Sequence, residues 1–192
     1  MIMNVYDFDK TLYAKDCTQE FIKYLVIRRP IILIYSFKIA FYGLLYLLRF
    51  INKTKFKEKG FSFLRIIKNK EELIEDFWDL NEHLIYPWYK DLQRADDLII
   101  SASPEFLIIP IAKRLNTKAL ASRVSLVDGR FTGLNCYGEE KVKRLYEYDP
   151  KAAIEKFYSD SDSDLPLARI AKQAYKIDKK GNINEWRIDD GS

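Results

Sequence analysis

Two carboxylates one residue apart, Asp7 and Asp9 in Asp7-Phe8-Asp9-Lys10-Thr11, follow the short apolar run Ile2-Met3-Asn4-Val5-Tyr6. On an extended chain they point the same way, because side chains alternate with period two. Like charges held that close need a cation or a shared proton. A cation would make this a hard-metal site of oxygen ligands suited to Mg²⁺, where one carboxylate can act as nucleophile while the other moves protons. The bland reading of the same residues is an Asp-rich turn, which Asp-x-Asp alone does not exclude.

Three later stretches carry comparable chemistry. Leu98-Ile99-Ile100 reads as a buried strand broken by Ser101-Ala102-Ser103-Pro104, and Glu105 to Leu115 reads as a helix. Ser101 and the backbone around Ala102 then sit at a strand tip facing a helix N-terminus, where anions bind. Ser103 is the better N-cap. Gly138-Glu139-Glu140-Lys141 opens a helix through Leu145, and Lys141 in its first turn opposes the helix dipole unless an anion lies opposite. Lys143 and Arg144 are expected to face solvent. Ile154 to Tyr158 reads as another strand, with Asp160, Asp162 and Asp164 at its tip. Three carboxylates in five residues suit a calcium loop, but the glycine and closing glutamate of such a loop are absent. Pro166 and a helix over Leu167 to Lys172 fit a strand-to-helix turn instead.

These tips must be positioned by an α/β scaffold. Adding a strand over Ala119–Ser122 and one over Ala174–Ile177 gives strands alternating with helices, hence a Rossmann-like, mostly parallel sheet with helices on both faces. Ligands of such sheets bind outside the carboxyl ends of the strands, where Asp7, Asp9, Ser101 and Asp160 all fall. Val124 to Gly133, with Asp128-Gly129, carries a two-residue hairpin signal, and the tail reads as a weak terminal strand. Between the first two strands everything is helical. Asp16 or Thr18 caps a helix through Ile27, and Ile31 to Ile51 is the most apolar segment. Two further helices are expected over Thr54–Tyr89, closed near Pro87. Residues 13–90 are therefore expected to form an all-helical insert, with 1–12 and 91–192 as the core.

The joint pattern resembles the haloacid dehalogenase-like hydrolases, specifically their phosphoserine-phosphatase-like branch, subfamily IB. Asp-Phe-Asp-Lys-Thr-Leu matches the first motif, and Ile99–Ser103, Gly138–Lys141 and Tyr158–Pro166 follow in the superfamily's order. The resemblance implies a Mg²⁺-dependent phosphomonoester hydrolase in which Asp7 forms an aspartyl-phosphate and Asp9 is the acid and base. It implies Thr11, Ser101, Ala102 and Lys141 as phosphate-binding, and Asp7, Asp9 (through its carbonyl), Asp160 and Asp164 as the metal site, with Asp162 a bystander. The helical insert occupies the place of the family's substrate-selecting cap. Lys10 departs from the pattern, since many relatives carry Gly there. A carboxylate at position 9 favours phosphate-ester hydrolysis over dehalogenation. A small phosphorylated metabolite is the expected substrate, a lipid phosphate such as phosphatidylglycerol phosphate is the alternative, and a non-catalytic phosphate-binding module is the third reading.

Composition bounds the rest. With 48% hydrophobic and 31% charged residues the chain is globular. Thirty-two Lys and Arg against 28 Asp and Glu give +4, a lean toward anionic partners, without a nucleic-acid recognition motif. Cys17 and Cys136 form no Cys-x-x-Cys pair, so reduced thiols and a cytoplasmic setting are expected, as is the absence of an export signal. His83, the single histidine, has no partner motif and is expected to be structural or exposed.

Ile31–Ile51 is long enough to span a bilayer, but Lys38 near its middle opposes insertion, and a single span would separate Asp7 from Asp160. Burial of this segment inside the cap is the leading expectation. Peripheral contact with an anionic membrane through residues 31–60 is the alternative, because Lys-rich sequence follows the apolar run.

Overall fold

The computed structural model describes residues 2–188. Strands β1 (Ile2–Tyr6), β2 (Leu98–Pro104), β3 (Lys118–Ser122), β4 (Ala153–Ser159) and β5 (Ala171–Ile177) are parallel. An antiparallel β6 (Ile183–Glu185) closes the sheet in the order β3-β2-β1-β4-β5-β6. Sequence order reverses direction at β1, so the carboxyl end of this central strand is the topological switch point at which such sheets bind ligands.

Strand alternation divides the core. On one face Tyr6, Ile99 and Tyr158 join residues of α1 (Cys17–Arg28), α4 (Lys70–Asn81), α5 (Pro87–Leu92) and α6 (Glu105–Arg114). On the other, Met3, Val5, Leu98, Ile100 and Phe157 pack with Leu145 of α7 (Glu139–Tyr148) and Leu167 and Ala168 of α8 (Leu165–Ile170). Trp78 locks α4 onto α6, its indole N–H donating to the Leu107 carbonyl at 2.9 Å in a buried setting. The expected α/β sheet covered on both faces is thus the observed fold.

Every regular element between β1 and β2 is helical, with α2 (Ile34–Leu47) and α3 (Lys53–Gly60) between α1 and α4. Asp16 caps α1 by accepting from Gln19 N–H at 2.9 Å. The expected helix from Thr54 tightens at Gly60 into a 3₁₀ turn, Phe61–Ile66, whose Phe61, Phe63 and Leu64 are buried.

Three expectations are corrected. The apolar Ile31–Ile51 segment is not buried: Phe37 is 83% exposed, Leu47 77% and Phe50 75%, with Ile31, Leu33, Phe41, Leu44 and Leu48 also exposed. A helix apolar on most sides has no continuous polar face to say which way it turns. Arg144 does not face solvent. It is buried, bonded to the Glu140 carboxylate at 2.9 Å and to the Leu134 carbonyl at 3.1 Å, an i,i+4 pair folded under the Leu134 loop. The Val124–Gly133 hairpin closes through Ser125 N–H to the Arg130 carbonyl at 2.8 Å, leaving four residues in the loop instead of two. Gly129 there has φ 76° and sits where any Cβ would collide with the Phe61 backbone, so glycine is required.

Candidate active site

The first carboxylate is placed by β1. The Asp7 N–H donates to the Tyr158 carbonyl at 2.9 Å, extending the β1–β4 ladder by one residue, after which the chain turns. Lys10 takes φ 57° in that turn, a left-handed conformation that favours glycine. This gives a physical reason for glycine at this point of the motif and makes Lys10 a strained choice.

Around Asp7 the buried ion pairs define the site. Lys141 Nζ lies 2.7 Å from Asp7 Oδ1 and 2.8 Å from Asp164 Oδ2, with Lys141 2% exposed and Asp164 1%. The Ser159 hydroxyl donates to the same Asp164 oxygen at 2.7 Å. Thr11 braces the other side. Its hydroxyl accepts from Asp160 N–H at 3.0 Å and is 3.4 Å from Asp7 Oδ2. The anion that the sequence demanded opposite Lys141 is therefore this pair of carboxylates.

Asp9 is held separately. Its Oδ1 accepts from Cys17 N–H, at the start of α1, at 2.6 Å, and its Oδ2 accepts from the Ser103 hydroxyl at 2.5 Å. Thr18 joins through a 3.1 Å hydroxyl contact to Ser103. Ser103 is thus not the cap of α6, a place taken by Pro104 without a side-chain bond; its hydroxyl is spent on Asp9. Ser101 is fully buried behind it, Oγ accepting from Ser103 N–H at 3.0 Å.

Electrostatics follow from this burial. Burial pushes the Asp7 carboxyl up to about 7, opposed by the Lys141 ammonium and aided by Asp164. Burial also raises Asp9, with Asp16 adding to it and the Ser103 hydroxyl resisting, and raises Asp160 against the pull of Lys10. Burial alone would discharge Lys141, but Asp7 and Asp164 outweigh it and hold the amine above its usual range. The site thus pairs carboxyls poised to hold protons with one ammonium that stays charged.

Most of these groups meet a cleft of about 530 Å³. Asp7, Asp9, Ala102, Lys141, Asp160 and Asp164 line it, whereas Thr11 and Ser101 stand behind the lining residues. The sequence did not reveal Asp16, Thr18, Lys57 and Tyr137 on its polar side or Ile22, Ile39, Phe56 and Phe61 on its apolar side. Lys57 Nζ reaches the Ala102 carbonyl at 3.0 Å and Asn135 Oδ1 at 2.9 Å, tying α3 across the cleft mouth to the tip of β2. His83 is exposed and outside the cleft, and Asp162 is an exposed partner of Lys176 at 2.9 Å.

Among the described residues no three acidic, His or Cys side chains stand close enough together to hold a metal as they are. The donors nevertheless fit a hard divalent cation. Asp164 Oδ1 is buried with no hydrogen-bond partner among the described residues, and five carboxylates against three lysines line the cleft.

A family model for the haloacid dehalogenase-like hydrolases matches residues 5–169, from β1 through α8. The chain belongs to this family. It is 31% identical over 137 residues to a probable phosphatase of Mycobacterium tuberculosis, covering 59% of this chain and 47% of that protein, so it spans about half that relative's length. The fold recurs in a protein of unknown function from Bordetella pertussis Tohama I, at TM-score 0.72 and 20% identity, covering 90% of this chain and 88% of that one. It recurs also in a phosphoserine phosphohydrolase-like protein from Francisella tularensis, at TM-score 0.52 and 19% identity, covering 91% and 86%.

Proposed function

We propose that this haloacid dehalogenase-like chain is a Mg²⁺-dependent phosphomonoester hydrolase working through an aspartyl-phosphate on Asp7. The observation that supports it most is the buried Asp7–Lys141–Asp164 triad at the tip of β1, with a second, separately held carboxyl, Asp9, lining the same cleft. Asp7 Oδ attacks phosphorus, the P–O ester bond breaks, and the departing alkoxide takes the proton held on Asp9. Burial that raises Asp9 favours the protonated form this step needs. Asp9, now ionised, takes a proton from water as the water oxygen attacks phosphorus, releasing phosphate and restoring Asp7. The Ser103 hydroxyl and Cys17 N–H keep Asp9 aimed at the cleft through both steps.

Lys141 offsets the charge that gathers on the transferring phosphoryl oxygens, the main catalytic task in this chemistry. Ala102 presents backbone at the cleft surface for the same oxygens, while Thr11 and Ser101 hold the frame from behind. A Mg²⁺ held by Asp7, Asp160 and Asp164, with the Asp9 carbonyl, would neutralise the phosphate and the carboxylates around it. The helical segment 13–90 acts as a cap that selects the substrate, since α1, α2 and α3 all supply cleft residues.

A small phosphorylated metabolite suits the enclosed charged end. A lipid phosphate is the second reading, favoured by the wall of Ile22, Ile39, Phe56 and Phe61 beside it. Phosphate release from phosphoserine, an aryl phosphate and a lipid phosphate, with and without chelator, tests the reading. Release from none of them by the folded wild type, together with failure to bind a phosphate mimic, would overturn it.

A further inference from the structure

Among the described residues, no element covers the outward face of α2. From Pro30 to Leu47 the chain is long and apolar enough to cross a membrane, at mean hydropathy 1.7, yet only 6% of that stretch is buried. Leu33, Phe37, Phe41, Leu44 and Leu47 recur at three- and four-residue spacing, so they form one stripe. All five are exposed. The opposite side of the helix is occupied. Ile32 is buried in the core, Ile39 lines the cleft and Tyr46 stacks on Phe56 at 5.4 Å.

A transmembrane crossing is excluded by the fold. Ile32 before α2 and Phe61 and Phe63 after α3 belong to the same buried cluster as Phe21 and Leu25 of α1, so both ends return to one side. What remains for a stripe of this kind is to lie in an interface plane.

Charge selects which interface. Residues 21–57 contain eight lysines and arginines and no acidic residue: Lys23, Arg28, Arg29, Lys38, Arg49, Lys53, Lys55 and Lys57. Arg28 and Arg29 precede the helix, Lys38 lies on it, and Arg49 and Lys55 follow, all exposed. Lys23 is paired with Glu20 and Lys57 is bonded at the cleft, but the exposed Arg28, Arg29, Lys38, Arg49 and Lys55 leave this surface net positive, so an isologous contact between two copies would bring like charge together, whereas an anionic leaflet offsets it.

We propose that α2 docks the protein on an anionic membrane surface, its Leu33–Phe37–Phe41–Leu44–Leu47 stripe entering the acyl boundary of one leaflet while the flanking cations meet the headgroups. Ile39 of the cleft's apolar wall lies on the inner side of the same helix, so the docked protein opens its active site beside the lipid. That last point rests on the phosphatase reading; the docking does not.

The test is co-sedimentation of the full chain with vesicles of phosphatidylcholine alone or with about one-third phosphatidylglycerol, for wild type and for Phe37→Glu/Leu44→Glu. These two side chains lie outside the cleft, so the variant keeps wild-type turnover of a soluble aryl phosphate, which serves as the check on folding. The expected result is binding to the anionic vesicles only, lost at high salt and weakened at least tenfold in the variant. Equal partition of wild type and variant would overturn the proposal. So would a lipid-free, concentration-dependent dimer abolished by the same substitutions, since it would assign the stripe to a second copy. Vesicle binding without turnover of any phosphate ester would leave the docking standing and refute the phosphatase reading instead.

Discussion

Replacing Lys141 by methionine removes the one ammonium shared by Asp7 and Asp164 while keeping the length and apolar stem of the side chain. Both carboxylates are buried and lose bonds of 2.7 and 2.8 Å. Leaving a buried charge uncompensated costs about 3–5 kcal/mol at most, equivalent to a fall in Tm of roughly 6–20 °C for a chain of this size. Protonation caps that loss. In the wild type the Asp7 carboxyl already stands near 7, above an unfolded value near 4, so its burial penalty is absent below about pH 4 and fully present above about pH 7. Without Lys141 the folded value moves higher, and the penalty keeps growing above pH 7 where the wild type's has levelled off. The variant's deficit in Tm should therefore be small at pH 6 and large at pH 8.5. Losing a charged partner of the developing phosphoryl charge should also lower kcat about 10²–10³-fold. Thermal melts across pH, with kcat for an aryl phosphate and Lys143→Met as the exposed control, check this. A pH-independent deficit, or a kcat within threefold of wild type, would refute the assignment of Lys141 as a buried cation serving the site.

Asp9→Asn removes the group that both donates and takes the proton, so an aryl phosphate, whose leaving group needs little help, should still phosphorylate the protein but not release phosphate; intact-mass measurement during turnover should find phosphoenzyme accumulating. Trp78→Phe deletes the buried bond to the Leu107 carbonyl and leaves a void, so it should cost about 1–3 kcal/mol by denaturant titration with kcat unchanged. Asp97 is buried, its carboxyl pushed up to about 6 by that burial despite the Arg94 N–H bond. A raised acid imposes no penalty below its unfolded value and the full penalty above its folded one. Asp97→Asn should thus gain stability relative to wild type as pH rises from 4 to 6, and no further above that, in paired thermal melts.

The strands were legible because apolar runs ending in polar residues are local signals: Tyr6 before Asp7 and Tyr158 before Ser159 and Asp160 mark where a buried strand meets the site, whereas β2 does not break at Ser101 as expected but continues to Pro104, pairing there with Ser122. Lys141 was legible because a lysine in a first helical turn asks for an anion. The contacts that complete the site carry no local signal. Ser103 meets Asp9 across 94 residues of sequence, and Lys57 meets Asn135 across 78; only folding brings these together. Arg144 had a readable partner in Glu140 four residues earlier, but its burial depends on the Leu134 loop closing over it. The orientation of α2 failed for a different reason, since a helix apolar on most sides reports its period and not its environment.

The proposed mechanism stands or falls on phosphorylation of Asp7. Purified wild type and Asp7→Asn, incubated with Mg²⁺ and an aryl phosphate, should be compared for phosphate release and for an acid-stable, hydroxylamine-labile phosphoryl group mapped by peptide mass. Turnover and a modified Asp7 peptide are expected in the wild type, and neither in the variant. Phosphate release that survives Asp7→Asn, or a phosphoryl group mapped to another residue, would contradict it.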